Sequence, residues 1–239
     1  MGSGLSGAII AAGTGSRLRT ASAGVPKPLV TLDGEPLLQR QLRMLELVGA
    51  APINFIINSE TAQLMAAAAL CLPAKAAMLV RDTPNSMESL LALGEHIPTG
   101  RFLLMTVDTI IKEIDLAEFV NAALRRISSI GASAVDGVLG MVRWRGDKHP
   151  LFAQMADDGR LLRLGAESGD LVTAGIYLFS TSIFKFAAEA RQLKLDAMRR
   201  YLAFLLERGI RFAGIPLTNA IDVDEGEDLR AARAFLGLS

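Results

Sequence analysis

Short apolar runs alternate with longer amphipathic stretches through the first half of this chain, and that alternation restricts its architecture more than any other feature. Residues 7–12 read as a buried strand closed by Gly13. Residues 36–49 carry Leu37, Leu38, Leu42, Leu45 and Val48 at helical spacing and stop at Gly49. A strand over 53–57, an Ala-rich helix over 60–70 and a strand over 77–80 follow. Next come a helix with Ser86 as its N-cap, a strand over 102–107 running straight into Asp108, and a helix over 116–128. Parallel strands need a crossover long enough to hold a helix, so this order predicts a three-layer α/β/α fold around a mostly parallel sheet. Such sheets bind ligands beyond the carboxyl ends of their strands, where the first loop and Asp108 both fall.

The pattern changes after about residue 134. Strands are expected over 135–142, 171–179 and 210–215, and helices over 182–190, 195–207 and 227–236. Between them, 143–170 is polar, with turn signals at Pro150 and Asp157-Asp158-Gly159. With no internal repeat and no linker, 1–239 reads as one domain in which 143–170 is a small inserted lobe.

Composition narrows the function. Lys plus Arg number 25 against 25 Asp plus Glu, so a broad basic surface for nucleic acid is not expected. An apolar fraction of 51% argues against a disordered chain. The single cysteine, Cys71, excludes an internal disulfide and a cysteine-rich metal site, and fits a reducing, cytoplasmic setting. Two histidines, His96 and His149, argue against a multi-histidine metal centre. No apolar run is long enough for a leader or a membrane span. Cys71 is expected to be a small buried residue, and Arg125, Arg126, Arg199 and Arg200 to lie on solvated helix faces. Met198, Tyr201, Leu202 and Leu205 share helical spacing, which suits the core or the face of a homodimer.

The densest site signal is the loop Ala11-Ala12-Gly13-Thr14-Gly15-Ser16-Arg17-Leu18, followed by Pro26-Lys27-Pro28-Leu29. Glycines after a buried strand let backbone N–H groups approach a phosphate chain, and Arg17 and Lys27 add cations for it. The loop lacks the third glycine of a dinucleotide fingerprint and the Gly-Lys-Ser/Thr of a Walker loop. Together with Gly34-Glu35-Pro36-Leu37-Leu38 and Leu45 to Gly49, these pieces resemble the signature of nucleotidyltransferases of the sugar-nucleotide pyrophosphorylase and molybdenum-cofactor guanylyltransferase-like superfamily. That resemblance implies a Rossmann-like fold of the nucleotide-diphospho-sugar transferase type. It also implies transfer of a nucleoside monophosphate from an NTP to a phosphate- or phosphonate-bearing small molecule, with loss of pyrophosphate.

The resemblance assigns roles. Residues 11–16 (Ala11, Ala12, Gly13, Thr14, Gly15, Ser16) would wrap the triphosphate, Arg17 would neutralise the leaving pyrophosphate, and Lys27 would bridge toward the α-phosphate. Asp108, with Asp222 and Asp224 of the segment 220–229, would hold Mg²⁺, which suits few carboxylates plus phosphate oxygens and water. Glu225-Gly226 stands where relatives carry Thr-Pro, and Asp228 suits the first turn of the last helix. Residues 83–90 look like the N-x-x-x-S-L form of choline-phosphate and polyol-phosphate cytidylyltransferases, giving CTP a slight preference. There Asn85 and Ser89 could supply donors and acceptors to the nucleoside, the alternative being ordinary helix capping by Asn85 or Ser86. For the acceptor, Thr173 and Gly175 resemble a substrate-pocket strand. Residues 164–169 lack the lysine of the usual Glu-Lys-Pro segment, a gap that Lys148 could fill unless it is simply a solvated loop residue. Arg143, Trp144 and Arg145 are further acceptor-side candidates. Two other functions fit the same residues: a nucleotide-binding regulatory module without catalysis, and a glycosyltransferase on a similar sheet.

Overall fold

A computed structural model describes residues 4–13, 15, 18, 22, 24–65, 70–131, 134–146 and 150–238. The chain opens with β1 (Leu5–Ala11), buried along its whole length, as an apolar run in mid-sheet must be. A two-stranded ribbon, β2 (Thr31–Leu32) and β3 (Glu35–Pro36), leads into α1 (Leu37–Leu47). Then follow β4 (Ile53–Ile57), α2 (Ser59–Met65), β5 (Ala76–Val80), α3 (Ser86–Gly94) and β6 (Arg101–Thr106). After β7 (Thr109–Ile110) come α4 (Glu113–Ile130), β8 (Gly137–Arg143), β9 (Phe152–Met155), β10 (Leu161–Ala166) and β11 (Leu171–Ser180). The chain continues through α5 (Ala187–Gln192), α6 (Met198–Glu207), β12 (Phe212–Pro216), β13 (Ile221–Asp222) and α7 (Gly226–Leu236).

The main sheet runs β10-β9-β11-β6-β1-β4-β5, with β8 paired to β11 and β12 to β8. Strands β1, β4, β5 and β6 are mutually parallel, while β11 runs antiparallel to β6, β8 and β9. Alternate residues of β1 serve opposite faces: Leu5 and Ile9 join one core cluster, Ala8 and Ile10 the other. The first cluster takes Leu38, Leu42 and Leu45 of α1 with Leu116 and Phe119 of α4. The second takes Leu90 and Leu93 of α3 with Tyr201, Leu202 and Leu205 of α6. Helices thus cover both faces, as the strand–helix alternation requires. The helical stripe Met198, Tyr201, Leu202 and Leu205 is buried core.

Several local expectations change. Asn85, not Ser86, caps α3: its Oδ1 accepts from the Glu88 N–H at 3.0 Å. The Ser86 hydroxyl instead accepts from the Met198 N–H at 2.9 Å, tying the start of α6 to the start of α3. Cys71 is exposed rather than buried, because it lies past the end of α2. Its N–H donates to Gln39 Oε1. The stretch 182–190 begins as a 3₁₀ turn, Thr181–Phe186, before α5. Within 143–170, β9 and β10 extend the main sheet beside β11.

Candidate active site

A cleft of about 410 Å³ opens beyond the ends of β1 and β6, against β11 and the first turn of α6. Its floor is assembled from distant segments. Asp108 follows β6 directly, where backbone pairing ends and a side chain can face a ligand. The short ribbon of β7 and β13 sets Asp222 opposite Thr109, and the Val223 N–H donates to the Asp108 carbonyl at 3.0 Å. Gln41, buried on α1, fixes this turn by donating to the carbonyls of Thr109 (2.6 Å) and Val107 (3.3 Å).

Lys27 starts a 3₁₀ turn bounded by Pro26 and Pro28 and is buried. Its Nζ donates to Asp108 Oδ2 and to Asp224 Oδ1, each at 2.7 Å. Burial alone would lower the pKa of this ammonium, but Asp108 and Asp224 outweigh it and hold the group above its ordinary value. Lys27 therefore stays charged. Gly15 sits at φ +56°, and a Cβ there would lie 2.7 Å from Lys27 Cβ. Glycine is thus needed for the first loop to cross the lysine stem.

Asp222 is oriented by a hydroxyl chain: Thr109 Oγ1 donates to Asp222 Oδ1 at 2.9 Å and lies 2.8 Å from Thr106 Oγ1. Gly175 makes room for that chain. At φ +70°, its Cβ would fall 2.0 Å from Thr109 Oγ1 and 2.6 Å from Thr106 Oγ1. The register of β11 against β8 shifts between Thr173 and Tyr177, on either side of this glycine. Desolvation raises the Asp222 carboxyl above its ordinary range, and the neighbouring Asp108 charge adds to the rise. Protein surrounds Asp222 on most sides, yet its side chain meets water through the cleft mouth, which tempers that rise.

The donor set fits a divalent cation of the oxygen-seeking kind. Asp108 and Asp222 bring like charges to one space, and carboxylate oxygens are the donors such a cation takes. Among the described residues no three His, Cys, Asp or Glu side chains form a closed metal-ligating group. A cation held there would therefore complete its shell with substrate oxygens and water.

The remaining expectations fall as follows. Ala11 ends β1 and Ala12 follows it, both buried, and Asn58 Nδ2 donates to the Ala12 carbonyl at 3.3 Å. Ser89 Oγ is buried, 2.6 Å from Thr83 Oγ1, and donates to the Asn85 carbonyl. The contacts of Asn85 and Ser89 thus serve the first turn of α3. Thr173 and Gly175 line the cleft, with Asp108, Asp222 and Asp224. Thr14, Ser16, Arg17 and Lys148 lie outside the described residues. Arg199 is exposed on its helix, as expected, and also lines the cleft, because the first turn of α6 faces it. Asp228 does cap the last helix: its Oδ2 accepts from the N–H groups of Glu225 (2.7 Å) and Asp224 (2.9 Å). Thr109 and Gln41 are the site-building residues that sequence reading missed. Their signal was adjacency to Asp108 and burial on a helix facing it.

Such a strand-end cleft, with a buried lysine between carboxylates, suits a phosphate-bearing ligand. The chain belongs to the family of the MobA-like NTP transferase domain, whose model matches residues 7–173. A bifunctional IPC transferase and DIPP synthase from Aquifex aeolicus is 25% identical, over 95% of this chain and 51% of that protein. Its namesake from Archaeoglobus fulgidus is 27% identical, over 95% of this chain and 43% of that protein. The chain thus spans about half the length of these relatives. Among solved structures, the inositol-1-phosphate CTP transferase from T. maritima superposes with a TM-score of 0.76 at 15% identity, covering 100% of both chains. The CTP:phosphocholine cytidylyltransferase from Streptococcus pneumoniae gives 0.74 at 16% identity, over 97% of this chain and 99% of that one. At such identities the likeness is one of fold. Among the described residues, no helix is long and apolar enough to cross a membrane.

Proposed function

We propose that this chain transfers CMP from CTP to a phosphorylated polyol of the inositol phosphate type, releasing pyrophosphate, with Mg²⁺ as cofactor. The observation that carries the reading is Lys27 held between Asp108 and Asp224 at the strand ends, beside Asp222. The name of one structural neighbour, an inositol-1-phosphate CTP transferase, supports CTP and an inositol phosphate. The reading takes the chain as one catalytic unit, with 143–170 covering the acceptor side.

In the reaction an acceptor phosphate oxygen attacks the α-phosphorus in line. The new P–O bond forms as the bond to the bridging oxygen of pyrophosphate breaks, and pyrophosphate departs with that electron pair. The attacking oxygen is already anionic, so no general base is required, and catalysis rests on positioning and charge stabilisation. Lys27 exchanges a carboxylate partner for phosphate oxygens as substrates enter. Asp108 and Asp222 would hold Mg²⁺, which supplies charge neutralisation between two phosphate-bearing substrates. Thr109 keeps Asp222 aimed at that space. Backbone N–H groups of the first loop, with Arg17, receive the β- and γ-phosphates.

Pyrophosphate release, measured for each of the four NTPs with Mg²⁺ and with inositol 1-phosphate, choline phosphate or glucose 1-phosphate, tests this reading. CTP with the inositol phosphate should turn over best. Turnover confined to UTP or dTTP with the hexose phosphate would overturn the base and the acceptor. Tight nucleotide binding without turnover for any pair would instead favour a regulatory module.

A further inference from the structure

The cleft is strongly polarised. Asp108, Asp222 and Asp224 make its floor acidic, yet the proposed acceptor must bring a phosphate dianion to that floor. Lys27 is already held by Asp108 and Asp224, and the acceptor-side segment 164–169 contains no lysine. Beyond the Mg²⁺ proposed between the two substrates, cations on the acceptor side would favour binding of that dianion.

Two arginines line the same cleft on separate elements. Arg145 follows β8, at the start of the segment leading to β9, and Arg199 lies in the first turn of α6. Both are exposed, and neither forms an ion pair or hydrogen bond with the described residues. In contrast, the adjacent Arg200 is tied to Asp196 at 3.2 Å. The backbone carrying Arg199 is fixed, since the Met198 N–H is held by Ser86 Oγ and Tyr201 and Leu202 anchor α6 in the core. The backbone leading to Arg145 is also held: the Trp144 N–H donates to the Asp170 carbonyl at 2.8 Å, and the Trp144 ring packs edge-on against Phe152.

We infer that Arg145 and Arg199, which line this cleft from separate elements, form its acceptor-phosphate clamp. This rests on the transfer reading above. A guanidinium presents a planar fork that matches phosphate oxygens, so two such groups hold a dianion while leaving one oxygen directed at the floor. The clamp selects phosphate or phosphonate acceptors and rejects the uncharged polyol.

The test compares wild type with Arg145→Gln, Arg199→Gln, the double variant and Arg200→Gln. Steady-state kinetics with CTP and inositol 1-phosphate should show the acceptor KM rising roughly tenfold or more for each clamp arginine. The CTP KM and the melting temperature should stay put. Arg200→Gln removes the same charge from the same helix and should leave the acceptor KM unchanged. Arg199→Lys should recover part of the loss, which a purely structural role would not predict. Calorimetric titration with inositol 1-phosphate runs beside the assay. Binding that is undetectable in the wild type, or equal in wild type and double variant, overturns the clamp whether or not turnover occurs. An equal rise in Arg200→Gln also overturns it, since net charge alone would then explain the effect. Binding that requires both arginines without any transfer supports the clamp and fails the transfer reading.

Discussion

The floor and the rim of the cleft handle charge differently. At the floor, Lys27, Asp108 and Asp224 satisfy one another at 2.7 Å, and Thr109 steadies Asp222. At the rim, Arg145 and Arg199 face the same space with no partner among the described residues. Lys27 is buried enough that an unpaired ammonium there would be costly, so it is paired before any ligand arrives, while the floor as a whole stays acidic. The rim is wet, and an unpaired guanidinium there costs little. Preorganisation is therefore concentrated where the reaction occurs, and the outer cations are left to respond to what binds.

Four substitutions probe that contrast, from the largest expected effect to the smallest. Lys27→Met should lower kcat by about 10²–10³-fold, with far less change in acceptor KM, because its cation acts on developing charge at the α-phosphate. A variant that altered only KM would place Lys27 with the rim residues. Gly175→Ala should destabilise the fold by about 2–4 kcal/mol, read as a lower denaturation midpoint, because a Cβ 2.0 Å from Thr109 Oγ1 adds a clash to an unfavourable φ. An unchanged midpoint would mean that the floor yields as easily as the rim. Thr109→Val should slow turnover about tenfold with folding intact, since Asp222 loses the donor that aims it; an unaltered rate would remove the hydroxyl chain from the account. Ser86→Ala should cost about 1 kcal/mol of stability and raise the acceptor KM a few-fold, because α6 loses its tie to α3. A purely thermodynamic effect would separate that tie from the placement of Arg199.

Much of this arrangement was legible in the chain because it is written in local pattern. The amphipathic α1 repeats at helical spacing, while β1, β4 and the strand before Asp108 are apolar runs too short for a helix and bounded by turn residues. The juxtaposition of Lys27 with Asp108 and Asp224 could be anticipated only through family resemblance, since 81 and 197 residues separate the partners. Other features leave no periodic trace. The β7–β13 ribbon has two residues per strand, too few for a pattern. Strands β9 and β10 carry register shifts that break alternation. Asn85 and Ser86 both suit a helix start, and the distant Met198 N–H claims the serine. Gly175 lines the cleft, and its missing Cβ also accommodates two hydroxyls of the protein itself, which no local pattern records. Gln41 acts on backbone carbonyls, whose positions no side-chain motif records.

The short ribbon also has a temporal consequence. Thr109 and Asp222 are 113 residues apart, so their pairing is among the long-range closures that come late as a chain folds. Strands β1, β4 and β5 can associate through nearer neighbours, without waiting for residues 221–224. In a refolding experiment, recovery of activity should then lag recovery of sheet signal, and coincident recoveries would show that the ribbon closes together with the sheet.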